Sequence, residues 1–239
     1  MKPEALKLLK DVVRDLEDIA NAKSYCDPQG TASQALKDIR AILFMETPQP
    51  SMKFNLYDVA NDDNGTRPIM GCVHHQDGFR VASDLHILVA LKSDYSEDME
   101  GKSIDKHGEE SDRKYPNWKA LFNDHQKEAY GYKIDFAMLA GWMKEYAAEK
   151  KMHGKWGARK AYVKVGDAFF PLPHLAGLAK FMKAVGCDTL HVEDGRHAAA
   201  CFADDGSMGL IMPAFYHNEV TLAELWEKKD DRVIMWEAA

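Results

Sequence analysis

Apolar residues recur at three- and four-residue intervals through residues 3 to 22. Leu6, Leu9, Val12, Val13, Leu16, Ile19 and Ala20 form one stripe on an amphipathic helix. Pro28 and Gly30 break the pattern, and "QALKDIRAILFM" behind Thr31 or Ser33 predicts a second helix. "ETPQPS", with Pro48 and Pro50, ends it. Residues 1 to 50 therefore predict a helical hairpin. Two such helices cannot bury both stripes alone, so Leu6, Leu9, Val13 and Leu16 must dock on the rest of the chain or on another copy.

After residue 51 the period shortens to two. "KFNLYDVA" alternates, "IMGCVHH" and "FRVASD" flank a "QDG" turn, and "HILVALK" follows, which together predict strands joined by tight turns. Residues 93 to 114 are polar and charged without periodicity and predict a long exposed loop or a mobile insertion. "YPNWKALF" anchors the chain again. Phe136, Leu139, Ala140, Met143 and Ala147 then make a helical stripe, "AYVKVGDAFFPLP" a strand and turn, and "HLAGLAKFMKAV" a helix closed by Gly186. "TLHVED", "HAAACFA" and "MGLIMPAF" predict three more strands separated by glycine turns. A short helix behind Thr221 and "RVIMWEAA", an edge strand or a peptide for a partner, complete the tail.

Two segments, about 53 to 92 and 161 to 216, share one plan: a strand, a connection, then a three-strand meander. That repetition predicts an α+β fold of pseudo-repeated units, with antiparallel sheets carrying helices on one face. The expected organisation is a helical hairpin at 1–50, the α+β domain at 51–216 and a tail at 217–239.

Composition narrows the class only a little. The 239 residues are 46% hydrophobic and 29% charged, an ordinary globular balance. No run of about 18 apolar residues appears, so no membrane helix is expected, and the acids inside the first apolar stretch exclude a signal peptide. Cys26, Cys72, Cys187 and Cys201 are scattered, which suits reduced cytoplasmic thiols. The net charge of −7 excludes a protein that coats nucleic acid with its whole surface, but not one with a local basic face. Such a face is visible. Between residues 144 and 164 lie Lys144, Lys150, Lys151, Lys155, Arg159, Lys160 and Lys164 against only Glu145 and Glu149, and Lys180 and Lys183 follow, three apart. Clustered lysine and arginine suit phosphate contacts of a sequence-independent kind; the competing explanation is a solvated face that keeps the chain soluble.

No nucleophile elbow, phosphate loop, H-E-x-x-H pair or dinucleotide-binding glycine pattern occurs, so no catalytic residue and no cofactor are expected. The one alternative is a metal-dependent enzyme built on His74, Asp84 and His86. His74 and His75 point to opposite faces of a strand, whereas Asp84 and His86 share one. The other explanation is that all four are polar outer-face residues of a scaffold. Methionines 70, 138, 143, 182, 208 and 212 suit core filling. Trp226 and Trp236 either cap an apolar edge or dock a partner.

"TRPIMGCVHHQDGFRVASDLHIL" resembles a segment of bacterial DNA sliding clamps, the processivity subunit of the replicative polymerase. Arg67, Pro68, Ile69, Gly71, Val73, Gly78, Val81, Ala82, Asp84 and His86 fall on matching places. "YPNWKALF" resembles the clamp's F-P-D-Y-x-x-x-(L/I)-P junction through Tyr115, Pro116 and Trp118, and the stretch ending in Met212 and Pro213 resembles the family's last strand–helix–three-strand unit. The similarity covers about residues 51 to 216, one clamp-type domain where a clamp subunit has three. It implies a sliding-clamp-like fold and a non-catalytic, DNA-associated binding or assembly module. Lys144, Lys150, Lys151, Lys155, Arg159, Lys160, Lys180 and Lys183 would then face duplex DNA. Implied partners are replication or repair proteins and further copies of the chain, several of which a ring would need. A protein-interaction module using the clamp scaffold's hydrophobic groove, without DNA, is the other outcome of the same resemblance.

Overall fold

A computed structural model describes residues 54–61, 67–214, 221–229 and 233–238, together with 7, 9, 11–14, 35 and 39. The last group is helical, with Val12 and Ala35 buried; the hairpin as a whole lies outside the described residues.

The main sheet grows from two meanders. The first comprises β1 (Cys72–Gln76), β2 (Phe79–Ser83) and β3 (Ile87–Lys92); the second comprises β8 (Thr189–Val192), β9 (Ala199–Phe202) and β10 (Met208–Ile211). β3 and β10 pair antiparallel, Leu88 opposite Leu210, so the meanders join head to head. β4 (Ser103–Asp105) closes one edge beside β1 and β5 (Tyr130–Lys133) closes the other beside β8, giving eight antiparallel strands. A smaller sheet holds β6 (Lys160–Val165), β7 (Ala168–Pro171) and β11 (Val233–Glu237), the last parallel to β6. The α-helices described after residue 54 are α1 (Asp124–Glu128), α2 (Phe136–Gly157), α3 (Leu172–Val185) and α4 (Leu222–Glu227).

Local chemistry explains most boundaries. Asp77 and Gly78, both at positive φ, make the tight β1–β2 turn that the "QDG" signal predicted. The Asp135 carboxylate accepts the N–H groups of Ala137 and Met138 and starts α2. Gly186, left-handed at φ 75°, ends α3. Thr221 and Glu224 form a reciprocal capping box on α4.

The main sheet is covered on both faces, which is why "ILVAL" of β3 is apolar without interruption. Ile87, Val89 and Leu91 meet Leu175, Leu178, Phe181 and Met182 of α3. Leu88 and Ala90 point the other way, under Tyr115 and the fully buried Trp118. A third cluster seats the tail: Leu222, Leu225 and Val233 pack on Tyr162 and Phe169. Trp236 stacks on Trp142 at 5.7 Å and Trp226 lies under the Lys164 ammonium, so both tail tryptophans cap apolar surface within the chain.

Three sequence expectations need correction. Within "KFNLYDVA" the described residues, from Phe54 on, form no strand: residues 56–58 make a 3-10 turn capped by the Asn55 side chain. Residues 93–114 are not a bare loop, because β4 pairs with β1 and carries the segment over the sheet edge. In α2, Ala140 and Ala147 are exposed, and Tyr146 takes the buried place. The helix is also interrupted at Gly154, whose φ of 72° kinks its last turn.

Candidate binding groove and basic face

The turn between β2 and β3 places a large apolar side chain in an unusual backbone state. Leu85 sits at φ 76°, a region a branched residue enters only at a cost of about 1 kcal/mol. Its neighbours over-determine that state. The Ser83 hydroxyl donates to the Ile87 carbonyl at 2.8 Å and accepts from the Leu85 N–H. The Asp84 carboxylate accepts the N–H groups of His86 and Ile87 at 2.8 and 2.7 Å. His174, in the first turn of α3, places Nδ1 3.3 Å from the other Asp84 oxygen. Burial pushes the Asp84 carboxyl up, but His174 and the two backbone N–H groups outweigh it and hold the group below its usual range. The His86 and His174 rings lie 4.4 Å apart, and the His86 carbonyl accepts the Met212 N–H at 2.8 Å.

These bonds hold Leu85 at the rim of a cavity of about 440 Å³, lined also by Tyr115, Leu121, Leu210 and Met212. Leu85, Leu121 and Met212 are 49%, 53% and 45% exposed, three of the large exposed hydrophobic residues among those described. A second depression of about 420 Å³, with Tyr146, Lys160 and Tyr162 on its walls, shares His86 and Met212 with the first. The stretches containing Asp84–His86, Tyr115–Pro116 and Met212–Pro213, far apart in sequence, meet around these two grooves.

The histidines separate into different environments. His74 and His75 are 8% and 5% exposed, so neither lies on an outer face as expected; the chain carrying β4 folds over both. His74 stacks on Tyr115 and shares a hydrogen bond with the Ser103 hydroxyl. His75 packs against Tyr95, with Nδ1 against the Lys102 carbonyl. Burial lowers both, His75 to about 4. His74 pairs with Val81, three residues short of Asp84, or roughly 10 Å along the strand. The structure therefore does not bring His74 to Asp84 and His86. It brings His174 instead, a partner the sequence offered no spacing to find. Among the described residues no three histidine, cysteine or acidic side chains are grouped to hold a metal.

The basic residues lie on the two helices stacked on one sheet face. Lys144, Lys150 and Lys151 on α2 and Lys180 and Lys183 on α3 are exposed, as is Lys160 at the start of β6. Lys150 rides over the Tyr146 ring at 4.9 Å. Among the described residues Lys144, Lys151, Lys180 and Lys183 form no ion pair. Arg159 differs: it grips Glu149 with two hydrogen bonds of 3.0 and 3.3 Å, which neutralises its charge. The Lys155 side chain lies outside the described residues.

No family model matches the sequence, and no curated protein does. Solved structures that it resembles include bacterial DNA sliding clamps. That of Bartonella birtlesii, bound to griselimycin, aligns at a TM-score of 0.49 and 10% identity over 69% of this chain and 63% of the clamp. The DNA polymerase III beta chain of Streptococcus pneumoniae aligns at 0.48 and 14% identity over 67% and 62%. The Bacillus subtilis clamp aligns at 0.45 and 11% identity over 76% and 63%. The chain thus spans under two thirds of the length of these clamps, and the likeness is one of fold. No helix among the described residues is long and apolar enough to cross a membrane.

Proposed function

We propose that this chain is a non-catalytic binding module of the sliding-clamp type, whose groove beside Leu85 docks a short apolar peptide of a partner protein. The observation that carries it is the convergence of Leu85, Leu121 and Met212, each about half exposed, on one preformed cavity of about 440 Å³. Single exposed apolar residues are ordinary, but three on the rim of an apolar cavity exclude water from a ligand that fits between them. Replication and repair proteins are the partner class that the sequence resemblance implies, and a cytoplasmic setting goes with it. In the same picture the hairpin at 1–50 and the tail at 217–239 flank the clamp-like unit, and the hairpin stripe supplies self-association. Fluorescence anisotropy with short labelled peptides carrying leucine and phenylalanine pairs tests the groove. Leu121→Asp and Met212→Asp each weaken binding by about tenfold or more; affinity unchanged in both variants, or no binding by any peptide, overturns it.

A second reading adds duplex DNA, favoured by Lys144, Lys151, Lys180 and Lys183 standing exposed and without carboxylate partners among the described residues. Binding of a duplex by the full chain at about 50 and 200 mM salt tests it, with a steep fall between the two expected from counterion release. Lys180→Glu with Lys183→Glu abolishes that binding and spares the peptide. No detectable binding at either salt concentration removes DNA from the function.

A further inference from the structure

The groove beside Leu85 is lined by polar side chains as well as apolar ones, and all but one of them are engaged within the chain or open to water. The Ser83 hydroxyl holds the β2–β3 turn. The Gln126 side chain accepts the Asn123 N–H at 3.0 Å and donates to the Leu121 carbonyl at 3.2 Å, while the Asn123 side chain accepts the Gln126 N–H at 3.0 Å. His86, Glu193 and His197 are exposed, where water serves them. The exception is Tyr115, which borders the same cavity. It is 6% exposed, and its hydroxyl oxygen is buried without a hydrogen-bond partner among the described residues.

Packing fixes this tyrosine in place. Its ring stacks on His74 at 4.7 Å with the planes 4° apart, and it shares one cluster with Met70, Leu88 and Leu210, each of which also lines the cavity. The other polar tips of that cluster have partners: the Trp118 indole N–H donates to the Gln76 side-chain oxygen at 2.9 Å, and the Cys72 thiol donates to the Pro68 carbonyl at 3.8 Å. Burial pushes the Tyr115 hydroxyl far above its ordinary range, so it keeps its proton and stands as a donor. A buried donor without an acceptor destabilises the free protein, and a ligand atom that accepts from it recovers the loss on binding.

We propose that Tyr115 is the polar anchor of the groove, donating its hydroxyl proton to a main-chain carbonyl oxygen of the docked peptide. The inference rests on the peptide-docking reading above and adds a specificity determinant to it. Leucine and phenylalanine side chains suit the apolar rim of Leu85, Leu121 and Met212 but offer nothing to a hydroxyl. The backbone of an extended peptide does, because it presents carbonyl oxygens along its edges while its side chains project away from them. One such oxygen on Tyr115 sets the register of the peptide and distinguishes it from a purely apolar ligand of the same size.

Tyr115→Phe in the full chain removes the hydroxyl and keeps the ring, and anisotropy with the labelled leucine and phenylalanine peptides reads the result. Affinity falls about three- to tenfold. The free variant melts at the temperature of the parent or up to about 3 °C above it, since an unpaired buried hydroxyl has gone. Peptides in which one amide at a time is replaced by an ester, whose carbonyl is a weaker acceptor, locate the bond. At one position the ester weakens binding to the parent chain and not to Tyr115→Phe. Equal peptide affinity in the parent and Tyr115→Phe overturns the anchor and leaves the docking groove standing, with the hydroxyl served by water. A variant that melts well below the parent and shares every ester effect with it also overturns the anchor. Absence of peptide binding by the parent chain overturns both the anchor and the docking reading.

Discussion

The second turns of the two meanders occupy corresponding places in the sheet, yet they are built from opposite materials. Between β9 and β10 the left-handed position is Gly206, at φ 88°, with Asp205 accepting the Ser207 N–H and no large apolar side chain in the turn. Between β2 and β3 that position is Leu85, at φ 76°, clamped by Ser83, Asp84 and, through Asp84, His174. Glycine reaches this backbone state without strain and leucine does not. A chain that uses glycine in one turn and an over-determined leucine in its counterpart points to work for the leucine side chain. In this fold that work is lining the groove.

The first meander also carries an acid liability in its two buried histidines. His75 titrates near 4 in the fold, because burial opposes its charge, and His74 is lowered for the same reason. An unfolded histidine takes its proton near 6.5. Stability is therefore complete above about pH 6.5 and falls as the pH drops toward 4, by about 3 kcal/mol from His75 alone. Urea melts from pH 7.5 to 4.5 show this loss, and His75→Gln or His75→Phe flattens it. A pH slope unchanged in both variants breaks the contrast between the meanders at its strongest point.

Asp84→Asn comes next in size. It weakens two backbone hydrogen bonds and the contact with His174 together, and costs about 2 kcal/mol by denaturant midpoint. Asp205→Asn, which loses one bond in a turn that glycine already stabilises, costs about 0.5 kcal/mol. Equal losses would mean that the two turns are energetically alike.

The smallest effect carries the most about function. Leu85→Gly relieves the left-handed strain and leaves stability unchanged or raised by up to about 1 kcal/mol, while peptide affinity falls about tenfold. Gly206→Leu lowers stability by about 1 kcal/mol without altering affinity. Both variants are read by thermal melting together with peptide anisotropy. A Leu85→Gly protein that melts lower and binds as well as the parent sinks the idea that the strain serves the groove.

Strand alternation and turn residues were enough to place the six meander strands, the "QDG" hairpin, α3 with its Gly186 end and the Thr221 cap, because each rests on interactions within a few residues. β4 and β5 have no such signal, since short edge strands in polar sequence carry no period of their own and form only because a neighbouring strand offers unpaired backbone groups. The groove was legible only as unconnected fragments. Asp84, Tyr115 and Met212 lie tens of residues apart, and it is the β3–β10 pairing and the chain crossing above it that bring their stretches together. His174 beside Asp84, the burial of His74 and His75, and the pairing of Arg159 with Glu149 are likewise decisions of packing. Local sequence determined which strands and helices exist; only the tertiary structure, by burying both faces of one sheet, decided which polar groups lost their water and which apolar ones kept it.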